Sequence, residues 1–155
     1  MSTFEVQRGG FVISSDKSRL NIPLIHAFLS GRAYWAIGRP LRVVQRSIEH
    51  SLCFGVYAGE SQAGFARVVT DYATFAWLCD VFILDEHRGQ GLGKWLVETI
   101  VAHPDLAGLR RFLLATRDAH SLYQRYAGFT PLQAPERWLE RFNPASPGQP
   151  PSSAT

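Results

Sequence analysis

The sequence predicts an α/β domain whose sheet is antiparallel in its first half and gains a parallel crossover in its second. Three runs, Cys53–Ala58, Gln62–Tyr72 and Thr74–Leu84, are rich in Val, Phe, Tyr and Leu, and Gly59-Glu60-Ser61 is a hairpin turn signal between the first two. An antiparallel meander is their simplest arrangement. After Leu84 the period changes: Leu92, Trp95, Leu96, Thr99 and Ile100 fall at helical spacing. The chain then alternates strand, helix, strand, with a short apolar strand at 111–116, a helix at 119–126 and a final strand at 138–142. That alternation argues for parallel strands joined by a crossover helix.

The remaining elements follow from local signals. Residues 11–14 form a short strand after the Gly9-Gly10 turn. Asn21 caps a helix that starts at Ile22, with Pro23 in its first turn, where proline is tolerated. Leu24, Ile25, Phe28 and Leu29 keep helical spacing, and Gly31 ends the run. Gly38-Arg39-Pro40 breaks the chain before a second helix at 41–50. His103-Pro104 ends the third helix and Gly128 the fourth. The expected domain is 1–143. From Pro144 to Thr155 there is no large apolar side chain, so that segment is expected to be a disordered tail.

Composition narrows the function. The chain has 155 residues, 46% apolar and 19% charged, enough for one substantial core. A formal charge of +3 with dispersed basic residues is too weak to argue for nucleic acid and suits an anionic small molecule. No run approaches the about 20 apolar residues that span a bilayer, and no basic start precedes an apolar stretch. The protein therefore reads as cytoplasmic, with no membrane partner. Cys53 and Cys79 sit in apolar runs outside any Cys-x-x-Cys pair, as buried thiols in a reducing compartment would. The histidines show no metal-ligand spacing, and no metal is expected.

The sharpest signal is Asp85-Glu86-His87-Arg88-Gly89-Gln90-Gly91-Leu92-Gly93-Lys94, between an apolar strand and an amphipathic helix. Alternate glycines let backbone approach a ligand closely. The loop N–H groups sit at the positive end of the helix dipole, which makes an anion cradle suited to phosphates, with Arg88 and Lys94 adding charge. A P-loop would need Ser or Thr after the lysine, where Trp95 stands. A dinucleotide fingerprint has another glycine spacing and follows the first strand of its unit.

Arg88, Gly91 and Gly93 fit Arg-x-x-Gly-x-Gly, which resembles the coenzyme A pyrophosphate loop of the GNAT (GCN5-related) N-acetyltransferases. A second stretch is similar to that family's Asn-x-x-Ala-x-x-Leu-Tyr-x-x-x-Gly-Phe: Ala119, Leu122, Tyr123, Gly128 and Phe129 match in type. Thr116 stands where the family often has Asn, and one extra residue separates Tyr123 from Gly128. The resemblance covers roughly 14–142 and implies the GNAT fold, a mixed sheet with about four helices and splayed parallel strands. It implies acetyl-CoA as co-substrate, held by Arg88, Gly89, Gln90, Gly91, Leu92, Gly93 and Lys94, with Thr116, Ala119 and Tyr123 nearby. It also implies that backbone of Phe82, Ile83 and Leu84 bonds the pantetheine arm, and that an N–H near Val81–Ile83 receives the thioester carbonyl. Dimers are frequent among proteins that look like this.

The resemblance makes Tyr123 the general acid for the departing thiolate, with Tyr126 next in line if the register shifts. Asp80 is the one charge in the strand 74–84. It either takes the proton of the attacking amine, directly or through water, or is bonded to Arg or backbone N–H. Tyr34 and Trp35 lie between the first two helices and fit a lid over a small amine, or else close the core. Asp71 and Tyr72 end the strand 62–72 and are the remaining acceptor-facing candidates. His120 precedes Tyr123 by one turn and fits a base, a cap or a solvated side chain. The expected activity is acetyl transfer from acetyl-CoA to a primary amine of a small molecule or peptide. Two rivals are a non-catalytic acyl-CoA sensor and a protein using the loop for ATP.

Overall fold

The computed structural model describes residues 3–147. They divide into two units. One comprises the described residues up to Leu20 together with His50–Phe129, the other Asn21–Glu49 and the described residues from Thr130 onward.

The first unit holds the sheet. Its strands are β1 Glu5–Arg8, β2 Phe11–Ser14, β3 Leu52–Ala58, β4 Ser61–Thr70, β5 Phe75–Ile83 and β6 Arg111–Leu114. They lie in chain order, β1 to β5 antiparallel and β5 parallel to β6. Helix α3 (Leu92–Val101) supplies the crossover and α4 (His120–Ala127) follows β6. The mixed sheet, antiparallel before parallel, is the one expected.

One face of the sheet carries the apolar cluster. Ile13, Phe54, Val56, Ala66, Val68, Ala76 and Leu78 meet Leu92, Trp95, Leu96 and Ile100 of α3 and Tyr123 of α4. Strand alternation and helical spacing each contribute one stripe to this cluster. His103 closes its edge. Its ring lies 4.6 Å from that of Phe4 and 5.6 Å from that of Phe54, and Nδ1 accepts the Asp105 N–H at 3.0 Å.

The second unit contains α1 (Ile22–Gly31) and α2 (Leu41–Glu49). Asn21 Oδ1 accepts the Leu24 N–H, so the expected cap is made. With these two, the described residues hold four α-helices.

Two local expectations need correction. Strand β1 was not expected: three of its four residues are polar, and it exists because the Gly9-Gly10 turn, with Gly9 at φ 56°, folds it onto β2. The final strand at 138–142 does not form. Its apolar residues Trp138, Leu139 and Phe142 do not alternate, the Trp138 N–H closes a 3-10 turn at Pro135–Arg137, and Leu139 is 98% exposed. Residues 144–147 form a turn stapled to Asn143, and the rest of the expected tail lies outside the described residues.

Burial against Phe4 and Phe54 lowers the protonation of His103 below its ordinary value, and Asp105 only partly opposes this. The unfolded chain therefore takes up a proton that the folded chain refuses. Stability should be full above about pH 6.5 and fall as the pH drops through that value. In thermal melts from pH 7.5 to 5.5, His103→Asn, which keeps an acceptor for Asp105, should lose less stability than the parent. Equal losses would assign the acid sensitivity elsewhere.

Candidate active site

The site grows from β5. Its parallel pairing with β6 runs from Phe75↔Arg111 to Leu78↔Leu114 and stops there, while β5 continues to Ile83 against β4. Beyond Leu78 the edge of β5 that faced β6 is therefore released. The parallel pairing thus ends on the stretch of β5 where the splay was expected.

A bulge sits at that point. Arg67 opposes Cys79 and Phe65 opposes Phe82, so two steps on β4 match three on β5. The surplus lies at Asp80–Val81, and Asp80 has φ 54°, a left-handed value uncommon outside glycine. The bulge reverses the strand's sidedness. Ala76 and Leu78 face the apolar cluster before it, Val81 and Ile83 after it.

Asp80 is bonded to arginine, one of its two sequence readings. Arg67 Nε donates to Asp80 Oδ2 at 2.9 Å, and Arg67 Nη1 donates to Ser51 Oγ at 3.1 Å. The residues are 9% and 3% exposed. Arg67 was not singled out in the sequence. An arginine inside an apolar strand, like Asp80 in the next one, was the available signal.

The glycine loop follows β5. Gly89 and Gly91 have φ 82° and 77°, and a Cβ at either would meet nothing within 4 Å. Conformation, not crowding, demands glycine there. Gly91 is the N-cap of α3 and no side chain caps that end, so its first N–H groups are available to an anion. Arg88 Nε donates to the Ile83 carbonyl at 3.1 Å, tying the loop to the end of β5. Gln90 Nε2 donates to the His87 carbonyl. Lys94 lies 4.6 Å over the Tyr126 ring. Leu84 is already used by the fold: its N–H donates to Ala63 and its carbonyl accepts from His87. Gly64 was also overlooked in the sequence. A Cβ on it would lie 2.6 Å from Ile83 Cδ1 and 2.8 Å from the Phe82 carbonyl, so glycine lets β4 approach the end of β5.

Helix α4 brings Tyr123 into the same unit. Tyr123 is 8% exposed, belongs to the cluster with Leu78, Ile83 and Leu92, and meets the Phe129 ring edge-on at 6.1 Å. The extra residue before Gly128 is absorbed at the helix end. The N–H groups of Gly128 and Phe129 both donate to the Tyr123 carbonyl, closing a wide turn with Gly128 at φ 73°. Thr116 Oγ1 accepts the Ala119 N–H at 3.1 Å and so orders the entry to α4.

The other candidates have surroundings of their own. Asp71 Oδ1 accepts the N–H groups of Ala73, Thr74 and Phe75, and Oδ2 accepts the Thr74 hydroxyl, which together hold its carboxyl well below the usual range. It shapes the turn from β4 to β5. Tyr72, at φ 62°, lines a cleft of about 240 Å³ with Lys17, Ser51, His103 and Asp105, at the opposite end of β4 and β5 from the glycine loop. Tyr34 and Trp35 lie in the second unit, their rings edge to face at 5.1 Å. His120 is exposed. Burial pushes the Cys53 thiol up to about 12, so it is no nucleophile at neutral pH. Among the described residues no group of three His, Cys, Asp or Glu could hold a metal ion, and no helix is long and apolar enough to cross a membrane.

Comparison with known proteins decides the family, because residues 24–129 match the Acetyltransferase (GNAT) family. The chain belongs to the GNAT acetyltransferase family. A crystal structure of a supposed GNAT-family acetyltransferase from Xanthomonas campestris pv. campestris is 54% identical, with a TM-score of 0.85 over 89% of this chain and 96% of that one. A supposed acetyltransferase of Gibberella zeae is 32% identical over 143 residues, covering 78% of this chain and 80% of that one. An acetyltransferase structure from Clostridium acetobutylicum solved with acetyl-CoA shares the fold, at 12% identity and a TM-score of 0.60 over 91% and 95% of the two chains. The expected fold and family are borne out, and this chain is a GNAT-type acetyltransferase.

In this acetyltransferase, Gly91→Ala places a side chain at φ 77° and should cost about 1 kcal/mol of stability. The same change should weaken coenzyme A binding by calorimetry. Gly10→Ala has neither the strained φ nor a clash and should alter neither. Unchanged coenzyme affinity in Gly91→Ala would contradict the role given to the loop.

Proposed function

We propose that this acetyltransferase transfers acetyl from acetyl-CoA to a primary amine of a small molecule or peptide by direct attack. One observation carries the reading: the glycine loop is anchored by Arg88 to the end of the strand that carries both the bulge and the released edge. A diphosphate on the loop N–H groups would run its pantetheine arm along β5, and the thioester would arrive beside the bulge. Acetyl-CoA supplies the activated acyl group.

The chain's residues do the rest. Gly89, Gly91 and the first amides of α3 grip the diphosphate, with Arg88 and Lys94 adding positive charge. The backbone of Phe82 and Ile83 guides the arm, and an N–H at Val81–Ile83 donates to the thioester oxygen as charge develops there. Leu84 contributes through its position beside the loop. Thr116 and Ala119 shape the start of α4. Tyr123 gives a proton to the departing sulfur.

An amine must lose a proton before it can attack, since an alkyl ammonium has pKa near ~10.4. The Asp80 side chain is 1% exposed and one oxygen already accepts from Arg67. That geometry supports loss of the proton to water in the site, with Asp80 holding the site's shape.

Free-thiol release with acetyl-CoA and a panel of amines tests the reading. Tyr123→Phe should lower kcat about a hundredfold while leaving coenzyme A affinity within twofold. An unchanged rate would remove Tyr123 as the acid. Tight acetyl-CoA binding by the parent with no turnover of any amine would favour a sensing module instead.

A further inference from the structure

The buried pair under the bulge has no role in a list of reacting groups, yet its geometry is specific. Arg67 opposes Cys79, but its guanidinium reaches past that partner to the carboxylate of the next residue. In a regular strand Asp80 would share a face with Ala76 and Leu78 and would point into the apolar cluster. A carboxylate buried there without a partner would be costly. The bulge turns it to the face of Arg67 instead. The same guanidinium is held from its other side by Ser51, just before β3. Two bonds therefore fix its plane.

We infer that Arg67 and Asp80 are positioning residues: their buried hydrogen-bonded contact selects the bulged register of β5 and so aims an N–H near Val81–Ile83 at the thioester carbonyl. This rests on the acetyl-transfer reading above. Asp80 suits the place because aspartate tolerates the left-handed region better than most residues. The pair acts through main chain, so neither side chain needs to touch acetyl-CoA or amine.

The test compares three variants of the full chain: Asp80→Asn, Arg67→Met and the double variant Arg67→Met with Asp80→Gly. Asparagine keeps an acceptor for Arg67 Nε and tolerates positive φ. It should retain kcat within about threefold, with a pH-rate profile of unchanged shape. Arg67→Met should lower kcat about tenfold to a hundredfold through misalignment, with the Kd of coenzyme A within twofold. The double variant leaves no unpaired buried charge and fits φ 54° with glycine. It should fold even where Arg67→Met does not, and lose rate to the same extent.

A readout of alignment itself is the carbonyl stretch of bound carbonyl-labelled acetyl-CoA. The parent should shift it to lower frequency than in solution, and the double variant should lose most of that shift. A double variant with parental kcat and parental carbonyl shift overturns the inference alone. So does an Asp80→Asn enzyme that loses its rate and the acidic limb of its pH profile while keeping the carbonyl shift, because Asp80 is then the base. Failure of the parent to bind acetyl-CoA overturns the acetyl-transfer reading, and this inference falls with it.

Discussion

A single surplus residue in β5 organises this molecule. Before it the strand buries Ala76 and Leu78 in the apolar cluster; after it Val81 and Ile83 take over. The strand thus changes faces without leaving the sheet. It also ends its pairing with β6 just upstream of the change, at Leu78. An interior strand with a bulge and a released edge offers backbone hydrogen-bonding groups where a regular sheet would have used them all. What holds the strand in that irregular state is polar: the Arg67–Asp80 pair and its Ser51 support.

The glycine loop and α4 depend on that strand. Arg88 bonds the Ile83 carbonyl, Gly93 lies 3.9 Å from Ile83 Cγ1 when given a Cβ, and Tyr123 shares a cluster with Ile83. Ile83 is therefore the point through which the geometry of β5 reaches both the glycine loop and the expected acid. Gly64 matters for the same reason, since any larger residue would push on Ile83 and on the Phe82 carbonyl.

The sequence made the glycine loop and α3 legible because alternate glycines and helical spacing are local signals. The helix with Tyr123 was legible in place, although the way its extra residue is absorbed was not. That depends on two N–H groups sharing the Tyr123 carbonyl, which no spacing rule announces. The bulge was hidden because an apolar run read with period two looks the same with or without a surplus residue. Arg67 was hidden with it, since pairing partners thirteen residues apart follow from register, and register is fixed by tertiary contacts. Strand β1 was missed for its polarity, and Trp138–Phe142 was overvalued for its aromatics. Asp71 was read as an acceptor-facing candidate, and the turn it builds was not legible because three N–H groups converge on one of its oxygens only once β4 and β5 pair.

The most direct measurement is an amide-resolved NMR titration of the labelled 17.3 kDa protein with coenzyme A. If the diphosphate rests on the loop and the arm follows the released edge, the largest shifts will fall on Gly89, Gly91 and Gly93 and on the amides of Cys79–Ile83. Shifts confined to the opposite end of the sheet, around Tyr72 and His103, would contradict that placement.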